Sequence, residues 1–454
     1  MIAQRHDCVI LGGGLCGLST AHELETSAHE DYVVLERNDR VGGLTRTSRY
    51  DGFSFDHSIH ILYPRDERVA DLISNVLLKE NLRRQERRSF CYSEGVYTEY
   101  PYQAHTHGLP PEVILENILG IIEARYGRDT RRPPRNFEEW VYAVFGAGIA
   151  KNFMIPYNRR VWGWDLKEMG FDWISDRVPV PSIEEVIRGA ITEPREKYGR
   201  NREFWYPREG GIEALPTALQ RRLPPHRVRC GTRVAGIDVA KRELRLAGGE
   251  GLGYRRLVST VPLPSLVGLV EGVLPPAVRN AAAALKANRV HTVNIGLQGT
   301  DLDTSREMHW VYFPSEETVF HRISFPAAFS PSMAPEGCSS VQAEITESAQ
   351  RDLRGADLIR ETLDGLVRVG LLDARDARPV AEGGRVAVAG IITLDPAYII
   401  YDLDHAGNVA VVRDFFAEVG IDARGRFGEW EYFNMDDAIL SGIVAAQEVL
   451  AEVG

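Results

Sequence analysis

Apolar positions along this chain fall first into short blocks and then into helical spacing. Val9-Ile10-Leu11 is a block closed by glycines, the stretch around Ala21-His22-Glu23-Leu24 has helical spacing, and Tyr32-Val33-Val34-Leu35 is a second block. Blocks this short, bounded by turn residues, predict strands, so residues 7–36 predict one βαβ unit opening a doubly wound sheet. From about residue 110 to residue 187 the pattern turns helical, as in Val113-Ile114-Leu115-Glu116-Asn117-Ile118-Leu119, with Arg131-Arg132-Pro133-Pro134-Arg135 as a loop. Segments 233–239 and 243–246 flank a polar turn and predict a hairpin, and 256–262 predicts a strand returning to the first sheet. Alternation between residues 291 and 390, for example Thr292-Val293-Asn294-Ile295-Gly296-Leu297 and His309-Trp310-Val311-Tyr312-Phe313, predicts an antiparallel sheet. A helix over 439–453 ends the sequence, and no repeat or low-complexity tract interrupts it.

With 454 residues the chain exceeds what one hydrophobic core fills, which predicts two or three lobes. Hydrophobic residues at 44% and charged residues at 26% are ordinary for a soluble globular protein, and no run of 18 apolar residues spans a bilayer. The first residues lead straight into an apolar strand without the features of a secretory signal, so a cytoplasmic location is expected. Cys8, Cys16, Cys91, Cys230 and Cys338 are widely spaced and form no C-x-x-C pair, which predicts free thiols and no metal site. A net charge of −11 excludes a broad footprint for nucleic acid or anionic membrane, and any anionic ligand must be held by local arginines.

Gly12-Gly13-Gly14-Leu15-Cys16-Gly17 satisfies G-x-G-x-x-G between a predicted strand and a predicted helix, and Glu36 follows Gly17 by 19 residues at the end of the next strand. The first glycine permits the turn, the second lets backbone approach a pyrophosphate, the third allows close packing of helix and strand, and Glu36 can accept a ribose hydroxyl. Just beyond lies Arg37-Asn38-Asp39-Arg40-Val41-Gly42-Gly43-Leu44-Thr45, a second glycine pair that brings the chain close to a flavin and its diphosphate and separates FAD from NAD as the expected cofactor.

The two motifs together resemble the FAD-dependent amine oxidase superfamily, and further stretches are similar to its UDP-galactopyranose mutase family, particularly eukaryotic-type members, over nearly the whole chain. These stretches are Tyr100-Pro101-Tyr102-Gln103, residues 146–162, Trp173-Ile174-Ser175-Asp176-Arg177-Val178, Phe204-Trp205-Tyr206-Pro207 ahead of Gly210-Gly211, Trp310-Val311-Tyr312-Phe313-Pro314 and Gly425-Arg426-Phe427-Gly428-Glu429-Trp430. The resemblance implies an α/β fold: a Rossmann-like FAD-binding domain (1–65, 208–262 and 415–454), an inserted helical domain (105–190) and an antiparallel β-sheet substrate domain (66–104, 191–207 and 263–414).

It also implies an enzyme that interconverts pyranose and furanose forms of a UDP-hexose or related NDP-sugar through a reduced-flavin N5-sugar adduct. Reduced FAD is then required, supplied by NAD(P)H or a reductase. The cofactor positions carried over are Gly12, Gly14, Leu15, Cys16, Gly17, Glu36, Arg37, Gly43, Leu44, Thr45, His60, Val234, Gly428, Asn434 and Met435. Tyr100, Tyr102 and Gln103 would hold uracil, with Phe153, Asn158 and Trp162 lining the nucleotide pocket; an aromatic face stacks on a base, and an amide matches the uracil edge. Arg177 and Arg322 would clamp the sugar diphosphate, aided by Tyr312, Tyr398 and Tyr432, while Trp310 and Asn201 complete the substrate set and His60 lies beside the flavin ring.

Two departures stand out. Ser58-Ile59 replaces a glycine pair that precedes the histidine in the family, and Phe329 stands where eukaryotic members carry a tyrosine. The altered turn favours a second reading, an FAD oxidase or dehydrogenase of the same superfamily; a nucleotide-sugar sensor without turnover is a third.

Overall fold

The computed structural model describes residues 2–127, 132–174, 177–193, 202–300, 302 and 308–453. Its first sheet grows from the predicted βαβ unit: β1 (Ile2–Leu11), α1 (Leu15–Thr26) and β2 (Tyr32–Leu35). The two strands are parallel, with Cys8 opposite Tyr32 and Leu11 opposite Leu35, and the Gly251–Ser259 strand runs parallel along the other edge of β1. The predicted hairpin, Val234–Asp238 and Glu243–Leu246, extends that side, while Val228–Arg229 and Ile421–Ala423 complete seven strands. Both faces are covered. Cys8, Ile10, Tyr32 and Val34 join one core with α1 and the C-terminal helix, whereas Val9, Leu11, Val33 and Leu35 join another on the opposite face. Burial on both faces explains why these strands read as unbroken apolar blocks.

The second sheet also has seven strands, in the order Val386–Leu394, Arg289–Gln298, Cys338–Glu347, Arg322–Ser324, Trp310–Tyr312, Ser89–Ser93 and Val96–Glu99. Neighbours are antiparallel except for Trp310–Tyr312, which runs parallel to Ser89–Ser93. The sheet therefore takes two strands from before the helical segment, a pairing that local alternation does not reveal. Helices Pro111–Tyr126, Phe137–Ile149, Ile155–Trp162 and Ile183–Ile191 surround a separate core that includes Phe137, Val141, Phe145 and Trp162. The C-terminal helix starts at Met435, four residues before the predicted boundary, with Asp436 and Asp437 in its first turn.

All five cysteines are free, three of them buried and Cys230 and Cys338 half-buried. Among the described residues no helix is long and apolar enough to cross a membrane.

Candidate active site

The glycine turn and its partner motif lock together through backbone. Gly12 has φ +104°, and Gly14 caps α1 in extended conformation without any side-chain cap, so the first amides of the helix carry no side-chain acceptor. A Cβ on Gly14 would meet nothing within 4 Å, whereas one on Gly17 would lie 2.0 Å from the Gly12 carbonyl oxygen. The second glycine thus faces open space, and the third lets the helix sit on the turn. Gly42 donates its N–H to Gly13 O at 2.8 Å, and Gly43 (φ +56°) abuts Gly14 Cα, which brings the two motifs to one place. Glu36 is buried; one carboxylate oxygen accepts from Gly13 N–H at 2.8 Å, and the other accepts from the backbone and side-chain amides of Asn38.

A continuous cavity of ≈ 1500 Å³ runs from this turn to the second sheet. Single-ligand pockets occupy roughly 300–1,000 Å³, so there is room for a dinucleotide and a second molecule. Gly12, Gly14, Leu15, Cys16, Glu36, Arg37, Gly43, Leu44, Thr45, His60, Val234, Asn434 and Met435 line it, and so do Tyr100, Asn158, Trp162, Arg177, Trp310, Arg322, Tyr312, Tyr398 and Tyr432.

Five sequence-derived positions lie behind the wall. Tyr102 is fully buried and stacks on Phe153 at 4.6 Å between ring centres, and Phe153 stacks in turn on Tyr157 at 5.3 Å. The Gln103 side-chain amide is spent on Pro179 O at 2.7 Å. Gly17 and Gly428 serve packing, the latter with room for a Cβ only 2.9 Å from Ser259 O. Phe329 is likewise off the cavity, in an aromatic cluster with Phe204, His309 and Trp310. Asn201 lies outside the described residues.

Register puts the anion-binding groups side by side. Arg322 stands directly opposite Tyr312 on one neighbouring strand and Glu344 on the other, so the three share one face of the sheet, while Val311, Ile323 and Ala343 face the apolar core. Glu344 is fully buried, and its Oε2 accepts from Arg322 Nε at 3.0 Å; Arg322 Nη2 also reaches the Tyr398 hydroxyl at 3.3 Å. The guanidinium is thereby aimed, and among the described residues Nη1 has no hydrogen-bond acceptor. Arg177 is held by Trp173 O at 2.9 Å and Tyr432 O at 2.8 Å, and its Nε is buried with no protein acceptor among the described residues. Tyr398 and Tyr432 stack at 6.0 Å with an interplanar angle of 9°.

Sequence reasoning left out four further groups. Arg426 lies inside a quoted motif and lies 4.9 Å from the Tyr432 ring, with its Nε also buried and unpartnered among the described residues. Tyr157 sits in another quoted motif and lines the cavity between Phe153 and Tyr312. Arg87 stacks over Tyr100 at 4.8 Å. Glu344 lies in the strand Cys338–Glu347, where polar residues alternate with apolar ones and a second acid, Glu347, follows, so nothing in the sequence singles it out.

Guanidinium donors buried without an acceptor among the described residues (Arg177 Nε, Arg426 Nε), the uncapped start of α1 and the open space at Gly14 together fit a dinucleotide and a second phosphorylated ligand.

His60 accepts no charge easily. Its ring opens onto the cavity but lies deep in the molecule, and burial lowers its pKa from 6.5 to about 4, assisted by Arg426 and Arg322 and opposed by its contact with Ser58 O. The ring is therefore neutral at pH 7. A histidine with a folded pKa below its unfolded one stabilises the fold in its neutral form; this contribution is complete above about pH 6.5 and is lost as pH falls towards 4. His60→Gln should accordingly flatten the loss of stability between pH 7 and pH 4.5 in urea unfolding, and parallel pH curves for variant and parent would contradict the assignment.

Comparison with known proteins agrees with this architecture. The family model "Flavin containing amine oxidoreductase" matches residues 15–376. The crystal structure of reduced UDP-galactopyranose mutase superposes with a TM-score of 0.92 at 25% identity, covering 98% of this chain and 94% of that one. Coproporphyrinogen III oxidase of Mycobacterium leprae (strain TN) is 24% identical over 63% of this chain and 66% of its own length. Protoporphyrinogen oxidase 1, chloroplastic, of Arabidopsis thaliana is 26% identical over 62% of this chain and 56% of its own. The chain thus spans less than two thirds of these curated relatives, which are oxidases by name, and nearly all of the mutase structure. By the family match and by this superposition, the chain belongs to the flavin-containing amine oxidoreductase family and is a UDP-galactopyranose mutase-like member of it.

Proposed function

We propose that this chain is an FAD-dependent nucleotide-sugar mutase interconverting pyranose and furanose forms of a UDP-hexose or related NDP-sugar. The observation that carries the reading is one continuous space: Arg177, Arg322, Tyr398 and Tyr432 line the same cavity as the glycine turn and Glu36. A cofactor diphosphate and a substrate diphosphate can then lie in one chamber. Family membership implies FAD, which in reduced form supplies an electron-rich nitrogen nucleophile for a sugar carbon.

The protein's own part is binding and charge control. The α1 amides at Gly14 and Leu15 hold the cofactor pyrophosphate, Glu36 accepts a ribose hydroxyl, and Arg37, Leu44, Thr45, Val234, Asn434 and Met435 enclose the remainder. Arg322 Nη1 and the free hydrogens of Arg177 hold the substrate diphosphate as it takes up negative charge on leaving. The hydroxyls of Tyr312, Tyr398 and Tyr432 donate to it without adding charge, Tyr100, Asn158 and Trp162 contact the nucleoside, and neutral His60 places no cation against the cofactor.

The test is anaerobic incubation of dithionite-reduced holoenzyme with UDP-galactose and UDP-glucose, with furanose products followed by chromatography. Conversion without stoichiometric oxidant is expected, and NAD(P)H or a reductase should replace dithionite. Absence of furanose with either sugar would end the mutase reading.

The oxidases among the curated relatives and the Ser58-Ile59 turn favour a second reading, an FAD oxidase acting on a porphyrinogen or amine. It requires stoichiometric oxidant consumption by the oxidised enzyme, which the same preparation can be assayed for.

A further inference from the structure

Glu344 spends its two oxygens on two different parts of the cavity. Oε2 takes Arg322 Nε at 3.0 Å, while Oε1 takes the Ser58 hydroxyl at 2.7 Å and the Ile59 N–H at 3.1 Å. Ser58 and Ile59 precede His60 in the chain, and all three line the cavity, as Arg322 does. Ser58 is held at φ +98°, a conformation that costs a non-glycine residue, and its hydroxyl bond to a buried carboxylate offsets that cost. A glycine at this position could adopt the same backbone but could not supply the bond.

We propose that Glu344 is a positioning residue that couples the anion site at Arg322 to the Ser58–Ile59–His60 turn, so that a phosphate drawn to Arg322 shifts the turn. Glu344 and Arg322 form a pair with no net charge in a buried setting. An incoming phosphate adds negative charge to that pair and draws the guanidinium away from Oε2. The carboxylate has no water to fall back on, so it leans harder on its remaining donors, Ser58 Oγ and Ile59 N–H. Interactions of this kind are strong where the surroundings are dry. Coupling is reciprocal: whatever the phosphate does to the turn, the turn does to phosphate affinity by the same factor. The inference rests on the mutase reading only for the identity of the anion.

The Ile59 amide is the natural reporter, because it donates to Glu344 directly. Hydrogen exchange by mass spectrometry is measured on FAD-loaded protein for peptides that begin no later than residue 57 and include Ile59, with peptides reporting residues 8–11 of β1 as a check on folding. UDP is expected to change Ile59 exchange at least threefold in the parent protein. In Glu344→Gln the single amide oxygen can serve either Arg322 or the turn but not both, so the link is cut and the UDP response at Ile59 should collapse. Without ligand, Arg322→Gln should itself change Ile59 exchange, because the two residues share Glu344 as their acceptor. A full UDP response in Glu344→Gln, or unchanged Ile59 exchange in Arg322→Gln with β1 still protected, overturns the coupling.

If UDP fails to bind the parent protein, the mutase reading falls and the Arg322→Gln measurement alone decides the coupling. If UDP binds and Ile59 does not respond, the coupling falls and the mutase reading stands. Ser58→Gly, which relieves the backbone strain, should weaken the UDP response at Ile59 without abolishing it.

Discussion

Replacing Arg322 with alanine is expected to lower sugar turnover at least tenfold and to destabilise the fold by roughly 3–5 kcal/mol. The first effect follows from losing one charge-assisted contact to a diphosphate; a factor of ten corresponds to about 1.4 kcal/mol, at the lower edge of such contacts. The second effect follows from Glu344. With 0% of its surface exposed, this carboxylate has one cationic partner among the described residues, and alanine at 322 leaves the charge buried with Ser58 Oγ and Ile59 N–H as its remaining described donors. Removing one member of a buried pair costs far more than the pair itself contributes.

The double variant Arg322→Ala/Glu344→Gln separates the two effects. It should recover most of the lost stability in urea unfolding and none of the turnover. Unchanged turnover in Arg322→Ala would remove Arg322 from the site, and an unchanged unfolding midpoint would show that Glu344 does not depend on it. Arg177 gives the contrast. Its described partners are the carbonyl oxygens of Trp173 and Tyr432, so Arg177→Ala strands no charge, and its cost should fall mainly on substrate binding.

What could be read in advance divides by how far apart the cooperating residues lie. The βαβ unit and both glycine motifs are local, and periodicity plus spacing found them; Tyr32–Leu35 has the predicted bounds, whereas β1 begins at Ile2, ahead of the predicted start at residue 7. The aromatic motifs were harder. Tyr100 and Tyr102 are two residues apart, yet the first lines the cavity and the second, which opens the short 3-10 turn Tyr102–Ala104, is sealed in the helical core. An aromatic that faces a ligand and one that stacks on Phe153 look alike in sequence. Glu344 was invisible for another reason. Its partners Arg322 and Ser58 are 22 and 286 residues away, and only the register of two antiparallel strands and the docking of a turn bring them together. The parallel pairing of Trp310–Tyr312 with Ser89–Ser93 belongs to the same class, since a strand's apolar pattern does not name its neighbour.

Gly17→Ala should give a protein that is isolated without FAD, whereas Gly14→Ala should fold normally and lose only affinity for it. A methyl on Gly17 would lie 2.0 Å from the Gly12 carbonyl oxygen and 3.2 Å from Ile10 Cγ2, both fixed at the end of β1. Relief requires α1 to retreat, yet the helix has no room to do so. On its other flank Gly442 of the C-terminal helix leaves space for a Cβ only 2.2 Å from Cys16 O, so α1 is held between two backbone contacts that each depend on a glycine. Overpacking of this kind costs about 1–3 kcal/mol, and more where backbone must move on both sides. Any retreat also draws the helix amides away from the cofactor pyrophosphate, so the FAD dissociation constant should rise more than tenfold. Gly14 lies three residues away with φ −78°, which any residue adopts, and a Cβ there meets nothing within 4 Å. The added methyl would occupy space that the pyrophosphate needs, leaving the unfolding midpoint within about 0.5 kcal/mol of the parent, as for a substitution that disturbs no packing. Flavin absorbance of the purified variants and urea unfolding of their apo forms measure both quantities. Should Gly17→Ala retain bound flavin at the parent's affinity, the wedge between β1 and the C-terminal helix would not be what holds α1 in place.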